Sequence, residues 1–408
     1  MAEDPRALLG VTVKSLTAFL QVLVSEAGER CHISTIRDET TIAERVKHEG
    51  LSFLTITLPD FGKDLQKGLD RGKVTHDLFQ GFSRRGGLPR FLGGFLELVF
   101  DRGTGVLLDD PSIEAIRCLH QITAMMAKIG LDCSKSRTDR AIKRFVECEQ
   151  EVRRADQNLA PDLRQAFDDV GLVLFADLFS HIDQMVYQGE LVPRHGPGAT
   201  ADRLRGNAKY DNREWTRRLE EYFPAGEFIL PNWRYFSYLD GVEFLEPGDE
   251  RPVRVVTVPK TLKAPRIIAI EPTCVQYAQQ ALRAEFYEGI EGSDSLSPFI
   301  GFRDQVPNRD MAREGSLTGE LATLDLSEAS DRVSNQHVRL LLRRHPHLMG
   351  AVDACRSRKA DVPGYGVIRL AKFASMGSAL CFPMEAMVFL TIIFVAVSRE
   401  LNTPMSPE

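Results

Sequence analysis

No C-x-x-C pair and no Cys/His spacing of the kind that holds structural zinc occurs in this chain, although it carries seven cysteines. That usage points to reduced thiols in an intracellular setting and argues against a scaffold built on zinc or disulfides. There is no repeat of fixed period and no low-complexity tract, which excludes solenoids and propellers. The opening Met1-Ala2-Glu3-Asp4-Pro5 is acidic, and no apolar segment with a cleavage site follows it, so secretion is not expected. The longest apolar run, residues 386–397, falls short of the roughly 20 residues that span a bilayer. It reads as a buried helix, and no membrane partner is expected. Positive charge is not in excess either: 51 Lys and Arg stand against 57 Asp and Glu, for a net charge of -6. A passive nucleic-acid coat is thereby disfavoured, and any such binding falls to local patches.

What is present is a chain of 408 residues, 43% hydrophobic and 26% charged. That is ordinary soluble composition, with length enough for two or three domains. Residues 1–190 alternate helical patterns with short breaks, as at 112–129 and 140–154, where the apolar spacing is nearer 3.6 than 2. Two basic clusters stand out: Lys135, Arg137, Arg140, Lys143 and Arg144, and then Arg203, Arg205, Lys209, Arg213, Arg217 and Arg218. By themselves both read as solvated helix faces.

From residue 191 the texture changes. The turn-rich His195-Gly196-Pro197-Gly198-Ala199-Thr200 lets backbone approach a partner closely. Trp215, Tyr222, Phe223, Trp233, Tyr235, Phe236 and Tyr238 follow the second basic cluster. Interleaved bases and aromatics suit nucleic acid, yet most of these rings are expected in the core. Two β-branched runs within 253–272 bracket a Pro-punctuated turn, with Lys260 and Lys263 at its tip and Arg266 at its far edge. Three cations so placed can neutralise a triphosphate; the plain alternative is a hairpin with solubilising charges. Residues 321–331 read as a short strand delivering Asp325, with a helix beginning between Ser327 and Asp331 and continuing through Val333, His337, Leu340 and Leu341. A carboxylate at that point is poised for Mg²⁺, although a strand-end aspartate is more commonly a cap or turn residue. Finally, the small-residue loop 375–378 leads into an apolar helix running to Phe394 or beyond, with Pro383 tolerable only near its first turn. Glu385 is a charge in that apolar stretch, and burial would demand a partner or a proton.

Taken in order, these segments resemble the fingers-and-palm motifs of viral RNA-directed RNA polymerases, most closely the levivirus replicases. The run Ile268-Ala269-Ile270-Glu271-Pro272-Thr273 resembles the end of the triphosphate-contacting motif. Asp325-Leu326-Ser327-Glu328-Ala329-Ser330-Asp331 resembles the first palm motif, and Ser375-Met376-Gly377 with Glu385 the next. Residues 195–200 also resemble these replicases. Four segments in the right order, over roughly 194–398, are far more specific than any one of them.

The resemblance implies an α+β, right-hand polymerase fold: a helical N-terminal region (1–190), fingers (191–318) and the first half of a palm (319–408). It implies Asp325 as the catalytic, metal-holding aspartate, with Mg²⁺ or alternatively Mn²⁺. Asp331, Ser375, Gly377 and Ser378 would lie at the ribose and template, and Lys260, Lys263 and Arg266 at the β- and γ-phosphates. Arg203, Arg205 and Lys209 would meet RNA. The reaction would be two-metal transfer of a nucleotide from an NTP to a growing RNA strand. It would take place in the cytoplasm of an infected bacterium, with RNA template and product as partners and host translation factors and a ribosomal protein as further ones.

The sequence departs from the family pattern at one place: no Gly-Asp-Asp turn occurs in it. Gly248-Asp249-Glu250 and Asp109-Asp110 lie out of order and read as solvated turns. The expectation is therefore a C-terminally truncated polymerase, inactive as an isolated chain. One half of a divided polymerase and a non-catalytic RNA-binding fragment are the alternatives. A magnesium-dependent hydrolase ranks last, because Ser327 stands where the common phosphatase pattern wants a second aspartate.

Overall fold

Apolar residues at three- and four-residue spacing fold as helices over most of the chain. The computed structural model describes residues 13–403, so the acidic opening lies outside the described residues. The chain is α+β and mostly helical, with one four-stranded sheet and two small two-stranded ones. It divides into two compact units: one runs up to Asp139 and includes Val258–Arg266, and the other comprises Arg140–Thr257 and the chain from Ile267 onward.

The first unit packs helices Val13–Arg30, Ile36–Glu49, Leu58–Asp70 and Ile113–Ala124. Leu58, Phe61, Leu65 and Gly68 form the buried stripe of the third of these. Phe61 meets the rings of Phe79, Phe82 and Phe91 at centroid distances of 4.5, 5.0 and 5.6 Å. Each such phenylalanine removed from water contributes roughly 1.5–3 kcal/mol. The helix expected over 112–129 is capped as read, with Ser112 Oγ accepting from Ala115 N at 3.2 Å, but it ends at Ala124.

The second unit has its main core between helices Pro161–Gln188, Thr273–Glu291 and Cys381–Glu400. Phe175, Phe179, Ile182, Leu282, Phe286, Met384 and Met387 interlock there. The last helix is longer than its uninterrupted apolar run; by length and composition it and Pro161–Gln188 could each cross a bilayer, and both lend buried side chains to this core. Pro383 sits in its first turn as expected. The four-stranded sheet has the order Arg266–Ile270, Val253–Val258, Lys359–Val362, Gly366–Arg369. The two strands read around the Pro-punctuated turn are thus neighbours. Val253–Val258 runs parallel to Lys359–Val362, which turns back antiparallel through Gly364 and Gly366, both at positive φ.

Residues 320–326 depart from expectation. They form no regular element and join no sheet among the described residues, and Leu324 is 85% exposed. A strand needs a neighbouring edge for its backbone groups, and alternating side chains alone do not supply one. The helix also begins later than read. A short 3-10 turn covers Ser330–Arg332, and helix Asn335–Leu342 starts where Ser334 Oγ accepts from Gln336 N at 3.0 Å.

Candidate functional site

Helix Lys135–Asn158 covers the four-stranded sheet by setting Ile142 and Phe145 against Val253, Val255, Ala269, Ala360 and Val362. The same buried stripe continues through Cys148, Glu149 and Val152, so an acid lies where the spacing calls for an apolar residue. Glu149 is 1% exposed, and its carboxylate accepts the amides of Ala371 (2.6 Å) and Lys372 (3.1 Å). Arg356, also buried, donates to the carbonyls of Leu370 (2.9 Å), Lys372 (2.7 Å) and Phe373 (3.0 Å). Burial lowers its pKa to about 10. Two opposite charges therefore complete the backbone bonding of segment 370–373, which is otherwise held by an isolated antiparallel bridge between Lys372 and Ser334.

That segment points Lys372, wholly buried, at Asp331: Nζ donates to Oδ1 at 3.1 Å. Ser375 Oγ donates to the same oxygen at 2.8 Å. The loop bearing Asp331 is tied down by a ring of ion pairs. Arg144 binds Glu328 through two nitrogens at 2.7 and 2.8 Å and Glu151 at 2.6 Å, and Arg332 meets Glu151 at 2.8 Å and Glu328 at 3.0 Å. The ring holds Glu328 at φ +57, a conformation that costs a non-glycine residue about 1 kcal/mol or more. Asp325, six residues before Asp331, is exposed and makes no hydrogen bond or ion pair among the described residues.

The loop after Ser375 is fixed to the sheet edge, with Ala269 N donating to Met376 O at 2.8 Å. Gly377 has φ +131, and a Cβ there would overlap the Ala269 carbonyl oxygen, so only glycine fits. Ala379 N donates to Gln279 Oε1 at 3.0 Å. Beneath lies Glu271, 3% exposed, accepting from Ser357 Oγ at 2.5 Å. Burial, only partly offset by hydrogen bonds from Ser357, Gln279 and Ser378, raises its carboxyl to about 7. Glu385 is half-buried and pairs with no cation among the described residues; burial first, and Asp331 second, raise its pKa.

The cations read from the sequence fall into different places. Lys260, Lys263 and Arg266 are exposed and belong to the first unit, where Lys263 lies 3.5 Å from Asp60. Asp325, Asp331, Ser375, Gly377 and Ser378 all belong to the second. Arg203 and Arg205 are exposed, but Lys209 is 4% exposed and donates to the carbonyls of Gly196 (2.6 Å) and Gly198 (2.5 Å), holding the Gly-Pro-Gly loop from within. The second cluster is thus not a uniformly solvated face, since Arg218 is also largely buried, paired with Glu250 at 2.6 Å. The same pair makes Gly248-Asp249-Glu250 more than a solvated turn. Trp215 and Phe223 are core, as expected of most of the rings, whereas Trp233, Tyr235 and Phe236 are exposed.

Residues 250–402, which hold every contact of the Asp331 cluster except those from helix Lys135–Asn158, match the family model described as RNA replicase, beta-chain. Over this stretch the chain is similar to the RNA replicase beta-chain family. The RNA-directed RNA polymerase subunit beta of Qbeta virus (strain MX1) is 36% identical over 148 residues, which are 36% of this chain and 23% of that one. The RNA-directed RNA polymerase beta chain of Escherichia phage MS2 is 36% identical over 139 residues, 34% of this chain and 24% of its own. The subunit beta of Enterobacteria phage SP is 35% identical over 139 residues. The matched stretch thus spans about a quarter of the length of these relatives.

Within and beside the replicase stretch, sequence reasoning missed Glu149, Lys372 and Arg356. Glu149 lies on the helical stripe of Phe145, Cys148 and Val152, Lys372 lies among Leu370, Ala371, Phe373 and Ala374, and Arg356 follows Ala354 and Cys355. A buried acid and two buried bases that must find partners were the available signal.

Proposed function

We infer that this chain carries part of the nucleotide-handling face of a right-hand, RNA-directed RNA polymerase that copies a phage genome in the host cytoplasm. The observation that carries the reading is the convergence of Asp331, Ser375 and Lys372 inside the replicase stretch, six residues after an unencumbered Asp325. Among the described residues no three His, Cys, Asp or Glu side chains converge as metal ligands. A single exposed carboxylate nevertheless fits Mg²⁺, or Mn²⁺ in its place, because such an ion takes one or two carboxylates and completes its shell with phosphates and water. When bound, the ion would neutralise charge on the triphosphate.

The chain's own residues do the rest. Asp325 would hold the ion, while the Asp331 carboxylate and the Ser375 hydroxyl present acceptors to a sugar hydroxyl. Gly377, packed against the Ala269 carbonyl, fixes the course of the loop beside the sugar, and Ser378 lines the same loop. Lys260, Lys263 and Arg266 would be the cations for the β- and γ-phosphates, where charge builds up as pyrophosphate departs. Arg203 and Arg205 offer exposed cations to RNA phosphates. The residues named here account for binding of nucleotide, metal and RNA rather than for complete turnover.

The test is equilibrium binding of GTP with Mg²⁺ to the wild-type chain and to Asp325→Asn. Because Asp325 is exposed and unpaired, the fold is expected to be unchanged by circular dichroism. Mg²⁺-dependent GTP affinity is expected to fall by about tenfold, equivalent to about 1.4 kcal/mol, while RNA affinity stays constant. Equal GTP affinities would refute the assignment of Asp325 and favour an RNA-binding role without nucleotide chemistry.

A further inference from the structure

Glu149 has no place in the polymerase reading and Lys372 enters it only through its contact with Asp331, yet they are among the most deeply buried charges of the second unit, at 1% and 0% exposure respectively. The lysine ammonium lies 3.5 Å from the centre of the Phe145 ring, 3.9 Å from Glu149 Oε1 and 3.1 Å from Asp331 Oδ1. Its backbone is immobilised from both sides, the amide by Glu149 and the carbonyl by Arg356. Such an ammonium has one address, and a desolvated lysine is retained only where its partners compensate it.

The consequence falls on the two oxygens of Asp331. Oδ1 takes both Lys372 Nζ and Ser375 Oγ and is saturated; Oδ2 has no partner among the described residues. A carboxylate accepts and does not donate, so the serine proton is committed to Oδ1, and the buried Ser375 Oγ keeps only lone pairs for any further partner. The pair therefore offers two acceptors, Asp331 Oδ2 and Ser375 Oγ, and no donor. A ligand hydroxyl that donates a hydrogen bond satisfies this arrangement, and a ligand bearing only C–H at that position does not.

We propose that Lys372, held by Glu149, is a specificity-determining positioning residue: it locks Asp331 and Ser375 as an acceptor pair that selects a sugar carrying a 2′-hydroxyl. The proposal rests on the polymerase reading, and goes beyond it in assigning selection to a buried pair that touches no nucleotide. Without the ammonium, Asp331 could turn both oxygens to Ser375 and solvent, and the acceptor geometry would be lost while the phosphate and metal contacts stayed as they were.

The experiment compares GTP and dGTP affinities with Mg²⁺ by equilibrium dialysis, using the full 408-residue chain. Wild type is expected to prefer GTP by about tenfold, the value of one hydrogen bond to a charged acceptor. In Lys372→Met the preference is expected to collapse towards one through weaker GTP binding, with dGTP affinity unchanged, and Lys372→Arg is expected to restore most of it. A purely structural lysine would instead weaken both nucleotides together, and that result would overturn the proposal. Should Lys372→Met fail to fold because Glu149 is left buried alone, the Glu149→Gln/Lys372→Met double variant removes both charges at once and carries the same comparison. A wild-type preference that survives in these variants refutes the positioning role and leaves the polymerase reading intact. A wild-type chain that binds neither nucleotide, or both alike, refutes the polymerase reading and this proposal with it.

Discussion

Replacing Glu271 by glutamine removes an acid whose folded-state proton affinity is set by burial, and the effect should appear as a pH dependence with a definite sign. The carboxyl sits 3% exposed beneath the Ser375 loop and holds its proton up to about pH 7, against an ordinary value of 4.5. Below 4.5 both folded and unfolded chains are protonated there, and the stabilising difference is fully present. Between 4.5 and 7 the folded protein keeps a proton that the unfolded chain has released, so stability falls as pH rises. Above about 7 both states are ionised and the curve levels off. The gap corresponds to about 3 kcal/mol lost across that window. Other groups titrate nearby, among them Asp38, raised by burial to about 6, so the quantity to measure is the difference between wild type and Glu271→Gln. Urea unfolding at pH 4.5, 5.5, 6.5 and 7.5 reads it, followed by the buried Trp215 in a Trp233→Phe background so that the signal reports the second unit. The variant is expected to gain on wild type by about 3 kcal/mol from the acid to the alkaline end. A difference that is flat with pH, or one that favours wild type as pH rises, refutes the claim that burial governs this group.

Gly377→Ala is expected to destabilise the second unit by about 3 kcal/mol or more, because φ +131 and the Ala269 carbonyl both exclude a Cβ. A urea midpoint equal to wild type would contradict this. Arg144→Ala opens the ring that joins Glu328, Glu151 and Arg332, and amide exchange at Arg332, whose N–H donates to Glu328 O and Ala329 O at 3.1 Å, should accelerate by roughly tenfold. Unchanged exchange would mean that the ring does not hold the Asp331 loop.

The elements that could be read in advance are those whose information is local. Helix Lys135–Asn158 contains the periodic stretch 140–154, the strands flanking the Pro-punctuated turn come from β-branched runs, and Cys381–Glu400 follows a small-residue loop with proline in its first turn. Asp325, Asp331, Ser375 and Gly377 were legible as a series because their spacing along the chain resembles a family pattern, which needs no knowledge of distance in space. Asp331 and Ser375 do meet.

What lies beyond local pattern depended on the tertiary structure. Residues 320–326 carry strand-like alternation but are unpaired among the described residues, since a strand exists only with a neighbour to take its backbone bonds. Lys209 read as a surface cation and is instead buried beneath a loop whose carbonyls it holds. Glu149 and Ala371, 222 positions apart, are brought into contact only when the helix lies across the sheet. By itself the sequence determined the helices and strands whose pattern is local, 320–326 excepted, and the order in which the candidate site residues occur. The tertiary structure decided which charges are buried, which atom each one faces and therefore which oxygen of Asp331 stays open, because burial and hydrogen bonding depend on what the rest of the chain places beside a residue.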